Sequence, residues 1–360
     1  MMNKAFRGIL IIILAQMLPC SADGRAEAIT GKNALVAGDN DTAIRLLSRA
    51  LDEGLSADVA AIALTWRGIA YSRKGLQDQA ILDFNSALKF NPDNQTTHSN
   101  RGTAFARKGL YEQAIADYNE ALHQDSKDVN TYIGRGLVNI YLGHYDKAFV
   151  DLDLALRYSP DNASVFAHRG YGHFRMGQYD QAINDYTDAL HIKPDNAGAL
   201  GARGRILYVL GKFEAASTDF AKAHTLSPDN LYFLIWQFLA DSRIGGNRRN
   251  ELIQEMRDVA DRAWPYPILD FLAERSSKDE LITAANAPGN AENRNHLCEA
   301  WFYVGEVELI HSHNDSAQQM FRRAKDTCPI TFTEFDMATA ELGRLKKEPK
   351  FPSAKRGGAP

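Results

Sequence analysis

One dipeptide sets the frame for the whole chain. Arg-Gly recurs at Arg67-Gly68, Arg101-Gly102, Arg135-Gly136, Arg169-Gly170 and Arg203-Gly204, each step being 34 residues. Twelve residues after each glycine stands an alanine: Ala80, Ala114, Ala148, Ala182 and Ala216. Four further on comes a large residue, Phe84, Tyr118, Leu152, Tyr186 or Phe220, and three beyond that a second alanine, Ala87, Ala121, Ala155, Ala189 or Ala223. Four units close with proline (Pro92, Pro160, Pro194 and Pro228); the second has Ser126 there. Self-similarity at a fixed period of roughly 20–50 residues marks an array of small structural units that bury their apolar faces against one another.

Within each unit the pattern reads as two helices and a turn. Gly75, Gly109, Gly143, Gly177 and Gly211 fall at the turn, where a helix ends in a left-handed residue. The small residues let helices approach closely, and the large residue between the alanines fills the remaining space. Proline stops the second helix, and the Asp-Asn that follows, as in Pro92-Asp93-Asn94, caps the next. This template resembles the tetratricopeptide repeat (TPR), and the resemblance implies an all-α superhelical solenoid of antiparallel helix pairs.

Five regular repeats span residues 58–230. Ala43, Leu47 and Ala50 show the second-helix spacing upstream, but Ala43 and Ala80 stand 37 residues apart, so residues 29–57 form an irregular first repeat. Trp301, Gly305, Ala317, Phe321, Ala324 and Pro329 refit the template, giving a last repeat over 298–345. The connector at 231–297 is aperiodic: an apolar helix from Leu231, an amphipathic helix over Glu251–Ala263, and two short helices at Ile268–Arg275 and Asp279–Ala285. The Lys/Pro/Gly-rich segment 346–360 reads as a disordered tail.

The N-terminus differs from the rest. Lys4 and Arg7 precede an apolar run from Gly8 to Leu18, and small residues follow at Ala22 and Ala26-Glu27-Ala28. That is the plan of a secretory signal peptide over 1–28, with cleavage at Ala22 or Ala28, or lipid attachment at Cys20. The run is too short for a transmembrane helix, which needs about 20 apolar residues. Export leaves Cys298 and Cys328 as an even pair. In the repeat register Cys298 opens the first helix and Cys328 lies just past the second, so antiparallel packing brings them together as a disulfide; the alternative is two buried thiols.

The connector and last repeat resemble NlpI-type envelope TPR proteins. The resemblance rests on the apolar helix after the array, Trp264-Pro265, the segment Cys298-Glu299-Ala300-Trp301-Phe302-Tyr303-Val304-Gly305, and Phe332-Thr333-Glu334-Phe335. It implies a lipoprotein-like, dimeric adaptor on the periplasmic face of a bacterial envelope, recruiting peptidoglycan hydrolases or a processing protease. The Met17-Leu18-Pro19 sequence before Cys20 departs from a lipobox.

The chemistry of the chain points to binding. A net charge of -4 gives no sign of nucleic acid as partner. His-Glu-x-x-His, Walker, Gly-x-Ser-x-Gly and paired-cysteine zinc patterns are missing from the sequence, and His311 and His313 fall in a turn, so we expect no catalytic residue, cofactor or metal. By the family register, Trp66, Ile69, Asn100, Thr103, Leu137, His168, Tyr171, Phe174, Arg205 and Tyr208 line a concave wall for other proteins or extended peptides. Arg73-Lys74, Arg107-Lys108 and Arg175 form either a basic strip or plain helix-end charges. Each repeated arginine is followed after sixteen residues by an aspartate, which pairs Arg67 with Asp83, Arg101 with Asp117, Arg135 with Asp151, Arg169 with Asp185 and Arg203 with Asp219. The alternatives to a scaffold are a subunit of a secretion or polysaccharide-export machine, and an enzyme using residues 231–345.

Overall fold

The computed structural model describes residues 22–246, 248–287 and 292–347. The expected signal segment up to residue 21, Cys20 included, and the tail from residue 348 lie outside the described residues. The chain divides into two compact units, residues 1–159 and 160–360, and all regular structure among the described residues is helical.

The first unit contains α1 (Ala22–Val36), α2 (Asn40–Asp52), α3 (Ala57–Arg73), α4 (Gln77–Phe90), α5 (Gln95–Arg107), α6 (Tyr111–Gln124), α7 (Val129–Tyr141) and α8 (Tyr145–Tyr158). Each odd helix packs on the even helix that follows, and α1, α3, α5 and α7 also touch in succession, forming one layer. The template residues explain this packing. A methyl group on Gly68 would sit 2.6 Å from Cε1 of the fully buried Phe84, so only glycine lets α3 and α4 close on that ring. The turn glycines hold φ between 74° and 79°, a region that side chains with Cβ avoid. Asn94 caps α5 by accepting from the Thr97 amide at 2.9 Å.

The first pair is more regular than the sequence suggested. Gly31 and the fully buried Leu47 take the parts of Gly68 and Phe84, with 2.8 Å separating a Gly31 methyl position from Leu47 Cγ. The helix α1 starts at Ala22, ahead of the expected boundary at 28; Ala28 is buried, and Glu27 pairs with Arg49 at 2.9 Å.

The second unit continues with α9 (Ala163–Arg175), α10 (Tyr179–Ile192), α11 (Ala197–Val209), α12 (Phe213–Leu226) and α13 (Leu231–Arg243). Shorter helices follow, α14 (Arg249–Glu255), α15 (Tyr266–Leu272) and α16 (Lys278–Ala285), then α17 (Asn293–Ile310), α18 (Asn314–Thr327) and α19 (Thr333–Lys347). The amphipathic helix expected over Glu251–Ala263 is corrected: α14 ends at Glu255, one 3₁₀ turn follows to Asp258, and Asp261 accepts from the Ala263 amide in a turn before Trp264-Pro265. The charged start of the expected tail is helical as far as Lys347, because Leu345 is buried. Trp236 is the hub of the core, its ring centroid 5.4 Å from Tyr208, 5.8 Å from Phe220 and 5.6 Å from Phe302.

Candidate functional site

The repeated arginines are structural braces. Arg67 grips Asp83 through two bonds of 2.8 Å, and the other four arginines hold Asp117, Asp151, Asp185 and Asp219 in the same forked manner. A third nitrogen reaches the second helix of the preceding repeat: Arg67 to Ser48, Arg101 to Asn85, Arg135 to Asn119 and Arg203 to Thr187, at 2.6–3.0 Å. Each of these four arginines therefore ties its own repeat and the one before it. Sequence reading missed these third partners, because residue type varies among serine, asparagine and threonine.

The charges at the helix ends are committed too, so the basic-strip reading is set aside. Arg73 donates to the Leu35 carbonyl at 2.7 Å and Arg107 to that of Ser72 at 2.8 Å, each closing the C-terminus of the preceding first helix. Lys74 and Lys108 pair with Asp41 and Asp78.

In the first unit the expected wall residues fall on α3, α5 and α7. Trp66 is half-buried with the Lys32 ammonium 5.3 Å from its ring centroid. Asn100 and Thr103 turn hydrogen bonds back to the carbonyls of Thr96 and Ser99, and Leu137 is half-buried. Ile69 packs against two core clusters, on Ala63 and Ala70 and on Ala80 and Phe84, and so serves the interior. Neighbouring first helices are tied laterally by Thr65 with Thr97 at 2.8 Å and by Thr131 with Ser99 at 2.7 Å.

In the second unit the corresponding face is covered by the chain's own C-terminal helix. Asp336 of α19 pairs with Arg175 at 2.9 Å and accepts from the Tyr171 hydroxyl at 3.1 Å. Arg205 is half-buried beside Glu334 and Asp336. Phe174 packs against the core and Tyr179. Tyr208 was expected on the wall; the structure buries it fully, with its hydroxyl donating to Glu306 at 2.5 Å, because the C-terminal helices close over it. His168 donates from Nδ1 to the Ser164 carbonyl at 2.6 Å, and burial lowers its pKa, which keeps it neutral.

Cys298 and Cys328 form a disulfide, Cα atoms 4.7 Å apart; Cys298 lies in the second turn of α17, which begins at Asn293 and not at the cysteine as the register suggested, and Cys328 lies just past α18. His313 bonds Glu308 in the turn after α17. Among the described residues no group of three or more His, Cys, Asp or Glu could hold a metal ion, and no helix is long and apolar enough to cross a membrane.

The tetratricopeptide-repeat family model matches residues 30–95, 78–129 and 168–230. No curated relative matches the chain. Among solved structures, a tetratricopeptide repeat protein from Parabacteroides merdae is 16% identical with a TM-score of 0.51, over 89% of this chain and 100% of that one. PilF of Pseudomonas aeruginosa is 19% identical with a TM-score of 0.49, over 61% and 99%. MamA is 25% identical with a TM-score of 0.39, over 46% and 96%. The likeness to the Parabacteroides protein is one of fold and runs through nearly the whole chain.

Proposed function

We propose that this solenoid of tetratricopeptide repeats is an exported scaffold that binds extended segments of partner proteins along the first-helix layer of residues 22–159. One contrast carries the reading. In the second unit a helix already lies on the equivalent layer, held by Tyr171 and Arg175. In the first unit Trp66, Asn100, Thr103 and Leu137 remain partly accessible on a layer that the lateral threonine bonds hold in place. Aromatic and apolar anchors among polar groups on a rigid surface are what a protein interface uses.

The export half of the reading rests on the apolar run from Gly8 to Leu18. Removal of the segment as far as Ala28 would strip Glu27 and Ala28 from α1, whereas cleavage at Ala22 or lipid attachment at Cys20 leaves nearly all of that helix. The NlpI-type resemblance adds the finer proposal of an envelope adaptor, able to form a homodimer, with cell-wall hydrolases or a protease as partners.

Site-specific photocrosslinking in intact cells tests the binding face. A crosslinker at Trp66 or Leu137 is expected to trap the protein that co-purifies with the chain, and one at Leu82, exposed on a second helix, is not. Equal trapping at all three positions refutes the assignment. Mass spectrometry of the mature N-terminus decides the processing site, and a full-length cytoplasmic chain refutes export.

A further inference from the structure

A cleft of about 430 Å³ in the second unit lies outside the binding face proposed above. Its walls are aromatic: Tyr232, Phe233 and Trp236 of α13, and Phe332 just before α19. Two carboxyl groups line it as well, Glu299 on α17 and Glu334 in the first turn of α19, and both residues are more than nine-tenths buried.

The bonding of these acids is lopsided. The Tyr232 hydroxyl at 2.6 Å and the Trp264 indole at 2.9 Å both donate to Oε2 of Glu299, which leaves Oε1 with no donor among the described residues. Glu334 receives a long contact from the Tyr303 hydroxyl, 3.4 Å from Oε1, and otherwise leans on its own backbone N–H. Charge is unbalanced too. Glu299, Glu334 and Asp336 face two cations, Arg175 and Arg205; Arg175 is bonded to Asp336, and Arg205 makes no direct ion pair with either of its acidic neighbours. The remaining groups nearby do not repair the deficit: Tyr171, Tyr232 and Tyr303 are neutral donors, Glu292 is a further acid, and His296, stacked on Trp264 at 4.5 Å, has its pKa lowered by burial. Burial and the neighbouring Glu334 push Glu299 up to about 8, so a proton stands in for the missing cation at neutral pH.

We propose that the cleft binds an alkylammonium group, the side chain of a lysine on a partner protein, with its methylene stem along Phe233 and Phe332 and its head on Glu299 Oε1 and Glu334. Aromatic faces and carboxylates both attract a desolvated ammonium, and a lysine carries the apolar stem that the walls require. The cleft is separate from Trp66 and Leu137, so the proposal stands or falls independently of the crosslinking result.

The test titrates the full-length protein with a short peptide bearing one lysine, and with the same peptide bearing Nε-acetyl-lysine. The Trp264 indole resonance reports the site, because that N–H donates to Glu299. The lysine peptide is expected to shift it and to release about one proton on binding at pH 7, seen as buffer-dependent heat in calorimetry. The acetylated peptide, which keeps the stem and loses the charge, leaves the resonance unmoved. Glu299→Gln is expected to weaken binding by about tenfold or more, and Glu334→Gln reports the same site from α19 should the first variant fold poorly. Equal binding of both peptides, no movement of the indole resonance, or affinity unchanged in the glutamine variants would each overturn the proposal.

Discussion

At the scale of single residues, the repeat is held by two contacts that tolerate little change. The first is glycine against ring. A methyl on Gly204 would lie 2.8 Å from Cε1 of Phe220, whereas at the third repeat the same position meets Leu152 at 3.2 Å. Gly204→Ala is therefore expected to destabilise the chain by about 1–3 kcal/mol in chemical denaturation, and Phe220→Leu in the same chain to recover part of that loss. The second is the arginine fork. Asp151 is 3% exposed and receives both bonds from Arg135. Asp151→Ala leaves that guanidinium part-buried and unmatched, and a loss of about 2–3 kcal/mol in chemical denaturation is expected. These contacts were legible in sequence because five copies superimpose the same atoms. The third arginine partners were not, since any small polar side chain near Ser48, Asn85, Asn119 or Thr187 can accept that bond. The accepting carbonyls of Leu35 and Ser72 were equally hidden, because backbone acceptors leave no mark on residue identity.

At the scale of helices, the regular pairs and the disulfide were readable, and the C-terminal helix was not. Position in the register placed Cys298 beside Cys328, and the structure brings their Cα atoms within 4.7 Å. The loop between them covers 30 residues, so reduction, or Cys298→Ser with Cys328→Ser, is expected to cost about 3–4 kcal/mol in the chain-entropy account. Hydrogen exchange should show the loss first in α18 and α19, and equal protection with and without reductant would contradict it. For α19 the sequence misleads. Its acids, Glu334, Asp336 and Glu341, look like a solvated face, yet all three are less than 9% exposed. They are buried because α19 packs on α11, α17 and α18 at once, and an isolated helix pattern cannot report three simultaneous neighbours. The same lack of a second copy hid the early end of α14, which no periodic template could have marked.

At the scale of the whole molecule, the second unit adds buried acids without a matching arginine to the paired ones that both units share, and the response of the two units to pH should differ. In the first unit each buried aspartate of the repeats has an arginine on it, as Asp83, Asp117 and Asp151 do. In the second unit the carboxyls outnumber the arginines that bond them. Glu299 is pushed up to about 8, chiefly by burial and then by Glu334; Glu306 is pushed up to about 8 by burial and then by Glu341, against the pull of Arg243; and burial raises Asp336 to about 6. A carboxyl whose folded pKa lies above its unfolded value binds more protons when folded, so stability is greatest below the unfolded value and falls as pH rises towards the folded one. For Glu299 and Glu306 that window runs from 4.5 to about 8, and for Asp336 from 3.8 to about 6. Residue-resolved hydrogen exchange, corrected for the intrinsic pH dependence of the amide rate, should therefore show α17 and α19 opening more readily at pH 8 than at pH 5, by about tenfold or more, since one unit of pKa shift is a factor of ten. Helices α3 to α8, whose buried acids are paired, should show no such trend. Glu299→Gln and Glu306→Gln remove the ionisable groups and should flatten the profile of α17 and α19 while leaving α3 to α8 as they were. A profile that is flat in the unmodified chain, or that rises with pH, would mean that these carboxyls are already ionised in the fold and that Arg205 and Arg243 suffice to hold them.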